Sequence, residues 1–217
     1  MAFGIKKMAR FAMVAGLSGA VSACAPQTAS KRDPFASPSR ADYVQLTSVS
    51  SELVEVDSAG RTVRAAAPAG LCISSDTIQT FRNSVFMVID GCAGARSPLA
   101  GVVSVNIANG PLTLGLAEME AHFRSPPGTV GLGYGGDAED VSLIDIERTG
   151  YGVYATVADV SEFGPAFAGD DICRVFLELN GRMVVVTMTS RRAEPKSAED
   201  MRADVKAIVA ALRAANA

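Results

Sequence analysis

Residues 173–190 read CRVFLELNGRMVVVTMTS, two apolar, β-rich runs on either side of Asn180-Gly181. The central residues of a tight type I′ turn both need positive φ, which Asn and Gly tolerate, so the stretch is expected to be a β-hairpin. Strands joined by so short a turn run antiparallel, and this pairing sets the expectation for the rest of the sheet.

Downstream, Met201, Val205, Ile208, Val209 and Leu212 form one apolar stripe, with Arg202, Lys206 and Arg213 elsewhere on the wheel. The spacing predicts a helix over Ala198–Ala215, capped by Ser197 with Asp200 in the capping-box register and lying flat on the sheet. Upstream, SLIDIERTGYGVYATVAD predicts strands Val141–Arg148 and Tyr151–Ala158 turning at Thr149-Gly150. Pro111 opens a segment in which Leu112, Leu116, Met119 and Phe123 recur at helical spacing, and Pro126-Pro127 end it. The runs Val85–Asp90 and Val102–Ala108 are continuously apolar, as central strands are. Before them, a hairpin joins Leu53–Val56 to Arg61–Ala65 through Ser58-Ala59-Gly60. Leu71-Cys72-Ile73 and a short polar helix within Ser75–Asn83 follow it.

Hairpin-linked strands with separated helices predict an α+β fold: a single, largely antiparallel sheet with the C-terminal helix packed on one face, over residues 46–217. The stretches AAAPAGLCIS, GPLTL, LNGRMVVVTMT and IVAALRAANA give a layout that resembles the fold family of the photosystem protein PsbP and the bacterial DcrB-like lipoproteins, over about Leu53–Ala217. The chain departs from typical members in lacking the Trp that often follows their first Pro-Gly pair. The resemblance implies an accessory or binding domain and brings no activity with it.

The other end of the chain is read for its address. MAFGIKKMAR carries Lys6, Lys7 and Arg10 and no acid, and an apolar run from Phe11 to Ala20 follows. That run is about half the ~20 residues a membrane-crossing helix needs, so it is expected to be an export signal. Val21-Ser22-Ala23-Cys24 then resembles the lipobox of bacterial lipoproteins at all four positions. The resemblance implies that the Cys24 sulfur takes a diacylglyceryl group, that the Ala23–Cys24 bond is cut, and that the new amine is acylated. Two or three acyl chains make a stable anchor where one does not. Residue 25 is Ala, not the Asp that retains many such proteins at the inner membrane, which favours the outer membrane. The expected organisation is a signal peptide at 1–23, a lipidated tether at 24–45 containing Pro26, Pro34 and Pro38, and one folded domain.

Removing residues 1–23 takes away three basic groups and no acid, moving the formal net charge from −3 to −6. An acidic surface excludes a nucleic-acid footprint. Three cysteines remain, Cys72, Cys92 and Cys173, and an exported chain meets an oxidising compartment. A Cys72–Cys92 bridge would close a loop of about 20 residues and stabilise the fold by roughly 3 kcal/mol. It is the expected pairing, with Cys173 a buried thiol; the alternative is that Cys173 bonds one of the other two. Scattered cysteines lack the paired spacing of a zinc site, and neither metal nor cofactor is expected.

Other candidates are weaker chemistry. His122, the only histidine, stands apart from any nucleophile motif. Gly131–Gly136, GLGYGG, matches GxGxxG, but Pro126-Pro127-Gly128 precede it and a strand follows, so the strand–loop–helix context of a dinucleotide site is missing. It is read as a flexible loop, with Tyr134 a candidate contact. Asp137, Glu139 and Asp140, and Asp170 and Asp171, lack the spacing of a calcium loop. The expectation is a non-catalytic, lipid-anchored cell-envelope protein that binds an envelope partner or a small ligand. The alternative is an envelope enzyme whose site gathers dispersed carboxylates and His122.

Overall fold

The computed structural model describes residues 43–92, 97–99, 101–135 and 137–217. The expected leader, Cys24, the tether up to residue 42 and Gly136 lie outside them. Strands β1 (Val44–Val49), β2 (Leu53–Ser58) and β3 (Arg61–Ala66) form a three-stranded antiparallel sheet in that order. Alternation in LVEVDS buries Val54, Val56 and Ser58 on one side. β1 begins inside the segment read as tether. A bulge between Leu46 and Ser48 interrupts its alternation, so no strand period is visible there.

After Pro68-Ala69-Gly70 the chain enters β4 (Leu71–Ile73), then a single 3₁₀ turn at Ser75–Thr77 and β5 (Gln79–Thr80). These two short pieces replace the helix expected within Ser75–Asn83, where no apolar stripe exists to hold a helix against the core. Next come β6 (Ser84–Gly91), β7 (Gly101–Ala108), β8 (Val141–Arg148), β9 (Gly152–Asp159), β10 (Ala168–Leu179) and β11 (Arg182–Arg191). The large sheet runs β4-β6-β7-β11-β10-β9-β8, with β5 beside β6, and every pairing is antiparallel. The expectation of one sheet is therefore corrected to two. Each strand pattern is local, but the choice of pairing partner is not. β4 pairs with β6 and leaves the first hairpin in a sheet of its own.

The helices are α1 (Leu116–Phe123), α2 (Pro126–Val130) and α3 (Ala198–Ala215). α1 starts at Leu116 and not at Pro111, with the Glu118 side chain accepting from the Gly115 N–H at 3.1 Å. Pro126 ends α1 and also opens α2, because a missing N–H is no loss at the first helical position. α3 has the expected bounds. Ser197 Oγ accepts from the Asp200 N–H at 3.1 Å, and the five stripe residues are buried.

The two faces of the large sheet are covered differently. On one face Met87, Val105, Val175 and Val186 share a core with Val54, Val56 and Val63 of the small sheet and with Ile208 and Leu212 of α3. Each such side chain contributes about 1.5–3 kcal/mol on burial. On the other face Met119 and Phe123 of α1 pack with Leu132, Val153, Val157 and Ile172, covering the β8–β9–β10 end. Neither α1 nor α2 reaches across β6, β7 and β11.

Two polar clamps join the layers. Buried Arg182 donates from Nε and Nη2 to the Ser58 carbonyl at 3.1 and 2.6 Å and from Nη1 to the Gly181 carbonyl at 2.9 Å, tying β11 to β2. The Asn216 side chain accepts from the Arg64 N–H at 2.9 Å and donates to its carbonyl at 2.7 Å. Asn180 Nδ2 donates to Asn216 Oδ1 at 3.1 Å and to the Thr62 carbonyl at 2.8 Å.

Candidate binding groove

The uncovered part of the large sheet is the floor of a groove. In β6 the buried residues are Val85, Met87 and Ile89, so Phe86 and Val88 point to the opposite face. In β7 the same alternation turns out Val102, Ser104 and Asn106, and in β11 it turns out Val185 and Thr187. Register places Arg174, Thr187, Ser104 and Val88 in one row across β10, β11, β7 and β6. The next row is Phe176, Val185, Asn106 and Phe86. Tyr134, from the loop after α2, and Pro165 and Phe167, from the β9–β10 loop, rise as walls around a space of about 480 Å³. A second space of about 710 Å³ shares Val88, Val102 and Phe167 and is bounded by Arg191 and Arg192. Both fall in the size range of small-molecule sites.

Tyr134 is held from two sides. Its hydroxyl and that of Thr189 lie 2.7 Å apart, and its N–H donates to Asp159 Oδ2 at 2.5 Å. The preceding Gly133 explains part of the GLGYGG stretch, since a Cβ there would lie 2.5 Å from Asp159 Oδ2 and 2.7 Å from a Val141 methyl. Only the absence of a side chain lets the loop come so close. Asp159 is buried, which pushes its carboxyl up, but hydrogen bonds from Ser161 and Tyr134 and the charge of Arg174 outweigh burial and hold it below its usual value. It remains a carboxylate. Burial pushes the Tyr134 hydroxyl up, so it remains neutral.

Arg174 is the charged group of the first space. Nη2 donates to the Gly133 carbonyl at 3.2 Å, while Nε is buried without a hydrogen-bond partner. Among the described residues no carboxylate lies within ion-pair distance of it. Burial pulls the guanidinium down, opposed by Tyr134 and Asp159, but an arginine stays protonated in a protein. In the second space Arg191 pairs with Asp90 at 3.1 Å, and Arg192 Nε donates to the Ala168 carbonyl at 3.0 Å. Three arginines and no carboxylate line the two spaces, in a chain of net charge −3.

The residues singled out from sequence lie elsewhere, Tyr134 excepted. Cys24 is outside the described residues. Cys72 and Cys92 lie at disulfide distance, 2.11 Å between sulfurs, and Cys173 is free and buried, its thiol pushed up by burial. His122 is exposed on α1, its ring 5.7 Å from that of Phe123. Neither acid cluster hydrogen-bonds to it among the described residues. No group of three metal-ligating side chains occurs among them, and no helix is long and apolar enough to cross a membrane. Sequence reasoning missed the groove, although VFMVID and VVSVNIA carried its signal. VFMVID, apolar on both faces, requires two covers, and the two helices after it are too short to supply the second. No protein-family model, curated protein or solved structure matches the chain.

Proposed function

We propose that the chain is a non-catalytic, lipid-anchored protein of the bacterial cell envelope that holds a small ligand in the groove over β6, β7 and β11. The observation that carries the binding role is the uncovered sheet face, walled by Tyr134, Pro165 and Phe167 and carrying Arg174, whose buried Nε has no hydrogen-bond partner among the described residues. The anchor rests on Val21-Ser22-Ala23-Cys24 after a short apolar run, and Ala25 favours the outer membrane. A cysteine pair at bonding distance suits an oxidising compartment. His122, the histidine of the alternative enzyme reading, is not among the residues that line the groove. The resemblance of the sequence layout from Leu53 onward to the PsbP-like and DcrB-like family, one of accessory and binding domains, points to the same role.

Labelling cells with a palmitate analogue and comparing the chain with its Cys24→Ala variant tests the anchor: label is expected on the first alone. Native mass spectrometry of the protein released from membranes tests the groove, with one reproducible small adduct expected, lost when Ser104→Phe fills the floor. A second reading, docking of an envelope protein, is favoured by Val160 and Phe163, 62% and 70% exposed on the β9–β10 loop. A stoichiometric protein co-purified in mild detergent and lost in Phe163→Ser would favour it.

A further inference from the structure

We propose that the occupant of the groove is a monoanionic amphiphile, its carboxylate held at Arg174 and its apolar body laid over β7 and β6 toward Phe167; this rests on the binding reading above. Charge complementarity sets the head. Arg174 offers five N–H groups and gives one hydrogen bond, to the Gly133 carbonyl, among the described residues. A half-buried guanidinium with one acceptor and a buried, unpartnered Nε is placed to receive an oxyanion. Both spaces lack a carboxylate, which argues against a cationic occupant. The floor grades in the same sense. Thr187 and Ser104, level with Arg174, carry side-chain hydroxyls with no hydrogen bond among the described residues, while Val88, Val102, Ala166 and Phe167 beyond them are apolar. From β10 to β6 is three strand spacings, about 14 Å, which sets the length of body the floor can lay flat.

The test uses the full-length chain carrying Cys24→Ser, in detergent-free buffer, with backbone amide shifts followed by NMR. The probes are decanoate, decanol and decyltrimethylammonium, each below its micellar concentration. Decanoate is expected to shift amides of β6, β7 and β11 and to bind more tightly than the other two. Arg174→Met should weaken decanoate by about ten-fold, the scale of one charge-assisted contact, and leave decanol unchanged. Decanol bound as tightly as decanoate, or no loss in Arg174→Met, overturns the anionic ligand while leaving a binding groove intact. Silence from all three probes at those strands overturns the groove reading itself. Should Arg174→Met fail to fold, Val102→Glu at the partly exposed floor serves instead. It should lower decanoate affinity and raise that of decyltrimethylammonium, and equal affinities in variant and parent would overturn the proposal.

Discussion

Ala59 and Asn180 hold the same backbone, φ +49°, each followed by a glycine at φ +72°, in the two-residue turns of the two hairpins. An L-residue other than Asn or Asp is strained there by roughly 1–2 kcal/mol. Ala59→Asn should therefore stabilise the protein by about 1 kcal/mol, read as a higher urea midpoint at unchanged slope. Asn180→Ala should destabilise it by about 2 kcal/mol, because the turn strain is joined by loss of the bonds to Thr62 and Asn216. Asp159 sets an acid response. Its carboxyl titrates lower folded than unfolded, so its contribution is full above the unfolded value, about 4, and is lost as pH falls through the lower folded value. Asp159→Asn should flatten the fall in stability below about pH 4, measured by urea unfolding across pH, and lower stability at neutrality.

Among the elements, the joints between layers carry the sharpest expectations. Arg182 spans the two sheets, and Arg182→Met would leave the buried Ser58 carbonyl without its strongest partner. A loss of about 2–4 kcal/mol is expected, with faster hydrogen exchange confined to β2 and β3. The Cys72–Cys92 pair clips three-residue β4 to the end of β6. Cys72→Ser with Cys92→Ser should remove roughly 3 kcal/mol, as should reduction, in calorimetry of the parent against the double variant. These joints also mark the limit of what the chain announces locally. The Asn-Gly hairpin, the β6 and β7 runs and α3 were legible, because turn chemistry and periodicity lie within a few residues. β1 was not, because a bulge breaks its period. The division into two sheets was not, because it depends on β4 choosing β6, beyond the 3₁₀ turn and β5, over the hairpin before it. Arg182 carries no local signal of its role, since only the docking of β2 gives it the Ser58 carbonyl to hold.

Taken whole, the large sheet divides its work between faces: one is closed by the small sheet and α3, the other only at its β8–β10 end. The groove follows from that shortfall. Its floor was half legible, as apolar runs too long for a strand with one wet face. Its chemistry was not, since Arg174 in β10 and Phe167 just before it meet Tyr134 of the GLGYGG loop, more than thirty residues earlier in the chain, only in the fold. Phe167 borders both spaces and is 56% exposed, and the chain contains no tryptophan. Phe167→Trp would thus install a lone indole at the mouth of the site, an optical gauge of occupancy with no competing emitter of its kind. A blue shift of its emission on adding decanoate is expected, and the same addition to a chain whose floor is plugged by Ser104→Phe should leave the colour of that light where it was.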